Sequence, residues 1–333
     1  MGLWAGLRGK VEIRMIELPS LKGNPLRDPY KREAVVYIPP GHERGKRALP
    51  VIIALAGFLG KSSSFLNTDP FGKNLIEQAD ALITKGIPPF ILAIPDGFTR
   101  YGGSQYRNSS ATGRYEDMVV KDFVVWIQKT YPVTRKFGLM GKSSGGYGAL
   151  MLGMKHPEIF SAIACHSGDL YFQWCYLREF PQAAAVLARY GSVQKFLALI
   201  WKKKKPSSGD ITALNAAAMS ACYSPNPKSK LGFDLPFDLQ TAQLREDIWK
   251  KWLTHDPVSM ISKHAGALRK MNLLYLDCGN QDEYFLHFGA RIFTEKLKAL
   301  RIAHVYEEFP DGHRNTAYRY SESLPRLAKA LRS

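Results

Sequence analysis

The sequence predicts an α/β protein built on a mostly parallel central sheet of about eight strands, covered by helices on both faces. Three observations carry that prediction. Short, almost wholly apolar runs at 49–56, 89–95, 137–140, 160–165 and 273–278 each stop at a Gly-rich or polar turn, as strands buried on both faces do. Stretches with apolar residues at helical spacing fall between them. The alternation lapses once, between about 169 and 267, where Pro-, Ser- and Gly-rich breaks separate helical segments. The expectation is a single domain over 1–333, with 180–240 inserted as a helical lid over the C-terminal edge of the sheet.

Each element follows from local pattern. Val11, Ile13, Met15 or Ile16, and Leu18 alternate with polar positions and give an outer strand over 11–18. Gly23, Pro25 and Pro29 make 21–30 a loop, and a second strand over 33–38 is stopped by Pro39, Pro40 and Gly41. The charged stretch 42–48 suits a hairpin-like connection into the 49–56 strand. Leu75, Ile76, Ala79, Leu82 and Ile83 share one helical stripe over 74–85. The 89–95 strand leads into a long Gly/Ser/Asn-rich loop over 96–113 and a helix over 115–129. After the 137–140 strand a helix ends near His156 and Pro157, and the 160–165 strand follows. Helices around 180–201, 211–222 and 244–262 fill the inserted block. Strand and helix then alternate again at 273–278, 288–300, 303–309 and 318–331.

Composition narrows the function classes. With 333 residues, 45% hydrophobic and 23% charged, the chain is globular and large enough for one sizeable core. Forty-six Lys and Arg against 29 Asp and Glu leave a net charge of +17, which would suit nucleic acid, an anionic surface or an acidic substrate. The basic residues are mostly scattered. The exception, Lys202 to Lys205 behind Trp201, has the look of a solvated face, and no helix-turn-helix, zinc-finger or aromatic RNA-binding signature accompanies it. No nucleic-acid partner is expected. No window approaches the roughly 18 uninterrupted apolar residues of a membrane span. Arg8 and Lys10 interrupt the weakly apolar start, so no signal peptide is expected. Cys165, Cys175, Cys222 and Cys278 lie far apart and form no C-x-x-C, which suits neither a zinc site nor a disulfide framework. A reducing, cytoplasmic compartment is the expectation.

Ligands of open parallel sheets sit beyond the carboxyl ends of the strands, so the chemistry is sought there. Gly141-Lys142-Ser143-Ser144-Gly145-Gly146-Tyr147-Gly148 follows the 137–140 strand and leads into a helix. A Ser between small residues at such a turn is a nucleophile elbow. The turn forces the Ser into strained backbone angles that only Gly-sized neighbours permit. The next amide, that of Ser144, falls at a helix start, where free N–H groups favour a developing oxyanion. The 273–278 strand ends in Gly279-Asn280-Gln281-Asp282-Glu283, and 303–309 ends in Pro310-Asp311-Gly312-His313-Arg314. Ser143, Asp282 and His313 therefore stand in the chain order of an α/β-hydrolase. His313 would take the Ser143 proton during attack and return it to the leaving group. Asp282 would bond the other ring nitrogen and fix the tautomer.

Alternatives stay open at several positions. His166 also follows a strand; it is the competing base and, with Leu59 and Lys142, a candidate for the substrate pocket. Glu283 competes with Asp282, while Asp277 lies within a strand, where pairing or burial suits it better. The second oxyanion donor is expected in the loop after 49–56, from the Phe58 amide, with Leu59 second. Gly60-Lys61-Ser62 and Gly141-Lys142-Ser143 imitate the end of a phosphate-binding loop, but Leu55 and Lys136 occupy the places where that motif needs its first Gly. No His/Cys/Asp cluster has ligand spacing, so neither a metal nor a cofactor is expected.

These segments carry a family resemblance. The stretch from Gly141 to Leu150 resembles the elbow of the Putative esterase family within the α/β-hydrolases, which includes esterase D (S-formylglutathione hydrolase), feruloyl esterases, enterochelin esterases and the antigen 85 mycolyltransferases. Gly279 to Phe285 resembles the family's acid-bearing segment and favours Asp282; Phe309 to His313 resembles its His segment. Pro95-Asp96-Gly97 and Gly113-Arg114-Tyr115-Glu116-Asp117 are also similar. The likeness covers roughly 32–172 and 254–331. Lys142 and Ser144 stand where esterase D proteins usually carry His and Met. The resemblance implies action on carboxylic esters and thioesters through an acyl-enzyme, without a cofactor.

The function expected is a serine carboxylesterase with a small-molecule ester substrate, Ser143 attacking the acyl carbonyl and water releasing the acyl group. An acyltransferase using the same residues, or a catalytically silent binding protein of the same fold, would leave much the same sequence. Association into a homo-oligomer is also left open.

Overall fold

The apolar runs become the interior strands of one sheet in the computed structural model, which describes residues 6–42 and 47–332. The strands are β1 (Lys10–Glu17), β2 (Lys31–Ile38), β3 (Leu49–Leu55), β4 (Ile91–Pro95), β5 (Val133–Lys142), β6 (Phe160–His166), β7 (Leu273–Gly279) and β8 (Val305–Phe309). Their spatial order is β1-β2-β4-β3-β5-β6-β7-β8. β2 is antiparallel to β1 and β4, and every pairing from β4 to β8 is parallel.

Side chains alternate between the two faces of the sheet, and in the interior strands nearly all are buried, so both faces are covered. Val51, Ile53 and Leu55 of β3 enter one core, and Ile52 and Ala54 enter the other. The second core is closed by α1 (Leu75–Thr84) and the C-terminal helix α10 (Tyr320–Ala330). α1 starts where the Asn74 side chain accepts from the Glu77 amide and Glu77 accepts from the Asn74 amide, a reciprocal cap. The first and larger core takes α2 (Val124–Thr130), α3 (Ser144–Lys155), α8 (Pro257–Arg269) and α9 (Leu286–Ala299). It also takes apolar side chains from α4 (Phe180–Arg189), α5 (Val193–Leu199), α6 (Ser208–Tyr223) and α7 (Glu246–Leu253) of the inserted block.

The structure departs from the sequence expectations at identifiable points. The connection at 42–48, of which 43–46 lie outside the described residues, makes no hairpin: β4 lies between β2 and β3. Charge and brevity suggested a tight turn, but β3 finds parallel partners in β4 and β5 instead. The helix expected over 180–201 breaks at Gly191, whose φ is +75°, and Ser192 caps α5. The helix over 244–262 is also two, because Asp256 accepts from the Val258 amide and Pro257 opens α8. Residues Met118–Phe123 wind as a π-helix ahead of α2, and the 96–113 loop contains a two-residue ladder, Asn108–Ser109 with Gly113–Arg114.

Candidate active site

The turn between β5 and α3 bends sharply at Ser143, which has φ 57° and ψ −127°. A β-carbon on Gly145 would stand 2.0 Å from the Leu55 carbonyl oxygen, and one on Gly141 would stand 2.4 Å from the Gly145 backbone. The elbow therefore closes against β3 only with glycine at both places. The Ser143 amide donates to the His166 carbonyl at 3.0 Å, which ties the turn to β6. Among the described residues the Ser143 hydroxyl has no hydrogen-bond partner.

Asp282 and His313 are brought together by the loops after β7 and β8. His313 Nδ1 lies 2.7 Å from Asp282 Oδ2, and both residues are buried. Asp282 Oδ1 accepts from the Tyr284 amide at 2.9 Å, so its carboxylate is held at both oxygens. The Tyr284 ring packs edge-on to the imidazole at 4.9 Å between centroids. Glu283, the rival acid, instead accepts from the His313 backbone amide at 2.7 Å. Asp311 accepts from the Gly312 amide and the Tyr318 hydroxyl and does not bond the imidazole.

Ser143 and His313 line one cavity of about 1280 Å³, together with Phe58, Leu59, Lys142 and Ser144. Within the loop after β3, the Leu59 amide is taken up by the Gly102 carbonyl at 2.8 Å. The Phe58 and Ser144 amides have no acceptor among the described residues. Lys142 is half-buried and forms no ion pair among the described residues; burial pulls its ammonium below the usual range, against the pull of the Asp282 and Glu283 charges.

His166 is placed elsewhere. It does not line the cavity; its Nδ1 lies 2.7 Å from Asp277 Oδ1 and its Nε2 lies 2.9 Å from the Ser323 hydroxyl of α10. Asp277 also accepts from Arg319 and the Tyr275 hydroxyl at 3.0 Å each. The ring thus belongs to a buried polar network between the sheet and α10. A histidine that ends a strand can turn to either face, and sequence position alone did not say which.

One cavity residue escaped sequence reasoning. Asp169 is 6% exposed, and its Oδ2 accepts from Tyr176 at 2.7 Å, Ser144 Oγ at 3.1 Å and Gln105 Nε2 at 3.1 Å. It stands in the loop after β6, so the search of post-strand loops could have found it. Among the described residues, no group of three His, Cys, Asp or Glu could hold a metal ion, and no single helix is long and apolar enough to cross a membrane.

A mostly parallel sheet covered on both faces, with a strained Ser between β5 and α3 and a His–Asp pair after β7 and β8, defines an α/β-hydrolase. Residues 29–328 match the family model described as Putative esterase, and the chain belongs to that family. It is a serine hydrolase acting on ester bonds. No curated protein matches the chain by sequence. Among solved structures, a ferulic acid esterase is similar with a TM-score of 0.61 and 16% identity, over 98% of this chain and 100% of its own. An S-formylglutathione hydrolase from Agrobacterium tumefaciens is similar with a TM-score of 0.60 and 16% identity, over 98% and 97%. MPT51 (FbpC1) of Mycobacterium tuberculosis has a TM-score of 0.55 and 15% identity, over 97% of each chain. At these identities the structural likeness is one of fold.

Proposed function

We propose that the chain is a serine carboxylesterase in which Ser143, His313 and Asp282 form the catalytic triad and the Phe58 and Ser144 amides form the oxyanion hole. One observation carries this reading. His313 is bonded to Asp282 at 2.7 Å and lines the same cavity as a Ser held at φ 57°. Asp282 keeps the imidazole proton on Nδ1, which leaves Nε2 basic toward the cavity. The Ser143 hydroxyl loses its proton to Nε2 as its oxygen attacks the acyl carbon, and the carbonyl oxygen becomes an oxyanion. The two free amides supply donors for that charge at no cost of reorganisation, whereas the Leu59 amide is already committed. The imidazolium then protonates the departing alcohol oxygen, leaving Ser143 acylated. Water, deprotonated by the same nitrogen, releases the acid and restores the Ser.

Residues 1–333 act as one domain in this reading, with 180–240 as a lid. Two facts favour it: side chains of α4 to α6 share the core of the sheet, and Ser208 and Ile211 of α6 line the cavity. Cavities for drug-sized ligands run to about 1,000 Å³, so this one has room for a small-molecule ester with a substantial acyl or alcohol group. All four cysteines are buried and unpaired, which suits a reducing, cytoplasmic compartment. Ser143→Ala should lower kcat on p-nitrophenyl butyrate by about 10⁴-fold or more and abolish fluorophosphonate labelling, with the circular dichroism spectrum unchanged. Wild-type turnover in that variant would refute the assignment.

A further inference from the structure

We infer that the lid-side wall of the cavity, where the Asp169 and Glu179 carboxylates meet no cation, binds an ammonium group carried by the ester substrate. The inference rests on the reading of Ser143 as the nucleophile of that cavity.

Asp169 stands next to the chemistry, because its Oδ2 accepts from the side chain of Ser144, the residue that follows the nucleophile. That oxygen already takes Tyr176 and Gln105 as well, whereas Oδ1 has no partner among the described residues. Glu179 lines the same cavity, and its carboxylate forms no hydrogen bond or ion pair among the described residues. Its neighbour Arg178 does not answer it. The Arg178 guanidinium donates to the Glu283 carbonyl at 2.7 Å and lies over the Phe285 ring at 4.4 Å.

The rest of this wall is neutral: Cys175, Tyr176, Ser208, Ile211, Thr212 and Asn215 complete it. The cations that line the cavity come from other elements. Lys142 feels the Asp282 and Glu283 charges, Arg314 follows His313, and Lys73 precedes α1. A chain with a net charge of +17 thus turns two carboxylates and no base toward one side of its cavity. A buried carboxylate such as Asp169 is ordinarily paired, and the cation that neither it nor the half-buried Glu179 bonds is one that a ligand can bring.

The titration of both groups agrees with an unfilled cation site. Burial pushes the Glu179 carboxyl up to about 7, against the pull of Arg178, and the Asp169 charge raises it further. Burial also raises Asp169, against the bonds it accepts from Tyr176, Gln105 and Ser144 and the weaker pull of His313, which forms no bond to it. An ammonium placed between them would favour both ionised forms. A protonated amine also donates N–H to the free oxygens, which a neutral alkyl group of the same shape cannot do.

Isosteric ester pairs test this. 2-(Dimethylamino)ethyl butyrate and 3-methylbutyl butyrate differ only in a charged nitrogen on the alcohol side. p-Nitrophenyl 4-(dimethylamino)butanoate and p-nitrophenyl 5-methylhexanoate differ likewise on the acyl side. At a pH of about 7.5, kcat/KM should favour the ammonium ester of at least one pair by about tenfold. That ratio should fall toward one in Glu179→Gln and invert in Glu179→Lys. A wild-type ratio at or below one for both pairs, or a ratio unchanged in Glu179→Gln, would overturn the inference. Turnover of the neutral esters separates the two levels. Hydrolysis of them without preference refutes the ammonium site alone, and failure on all four with no fluorophosphonate labelling refutes the esterase reading as well.

Discussion

Two glycine-to-alanine changes, identical in composition, should move stability in opposite directions. At Gly145 the new methyl carbon would lie 2.0 Å from the Leu55 oxygen, 2.8 Å from the Leu55 carbonyl carbon and 3.0 Å from that of Ala56. All three atoms are backbone of β3 and its exit, so no rotamer change relieves the overlap. A comfortable contact is longer by more than about 1 Å, and overpacking of this kind costs about 3 kcal/mol. At Gly266, on the exposed side of α8, a methyl carbon meets nothing within 4 Å. Helix propensity there favours alanine by about 1 kcal/mol. Guanidinium unfolding followed by circular dichroism should therefore separate the two variants by about 4 kcal/mol, with wild type between them. The displaced β3 exit also carries Phe58, so Gly145→Ala should lower kcat by about 10²-fold even where it remains folded. Wild-type stability and turnover in Gly145→Ala would refute both the tightness of the elbow and the placement of the oxyanion loop.

Asp282→Asn should leave the fold intact and cost about 10⁴ in kcat, because an amide in place of the carboxylate no longer selects the Nδ1-protonated imidazole. Steady-state kinetics on p-nitrophenyl butyrate read this directly, and a loss below tenfold would point to another acid. Acid sensitivity should have one traceable source at Glu116. Burial alone would raise its carboxyl, but bonds from His156 and Lys155 outweigh that and hold it at about 2. Because the folded value lies below the unfolded one, its stabilisation is present above about pH 4.5 and is lost as pH falls toward 2. Urea midpoints of wild type and Glu116→Gln should thus differ at pH 6 and draw together only as pH falls to about 2; a gap that stays constant with pH would refute the pairing.

Much of this was legible in the sequence because two periodicities write it plainly. The all-apolar runs marked interior strands, and just beyond them stand Ser143 and His313, which line one cavity, and Asp282, which bonds His313. What failed was whatever depends on which strands become neighbours. Nothing local to 42–48 says that β4 will enter between β2 and β3, since that order is set by the sheet as a whole. Helix breaks at Gly191 and Asp256 carried signals, a left-handed glycine and an Asp–Pro start, that apolar periodicity alone overrode. Asp169 went unnoticed for a different reason. Its importance comes from Tyr176, a few residues on, and from Gln105, which reaches it from a distant loop, and neither contact can be read from local pattern.

The chain contains two Ser–His–Asp arrangements, and comparing them shows what a catalytic reading needs. In one, Asp277 lies 2.7 Å from His166, which lies 2.9 Å from the Ser323 hydroxyl. In the other, Asp282 lies 2.7 Å from His313, and Ser143 lines the same cavity. By bond lengths the first looks the more complete. Yet Ser323 is wholly buried within α10 and does not line the cavity. Ser143 has the opposite properties: a strained backbone, a cavity in front of it and two uncommitted N–H groups beside it. The two sets are also joined, since the His166 carbonyl accepts from the Ser143 amide. The set at Ser323 fastens α10 to the strand ends and braces the elbow, while Ser143 and His313 of the proposed catalytic set open onto the cavity. The proposed catalytic role thus falls to the set that opens onto the cavity, since a 2.7 Å His–Asp bond is present in both.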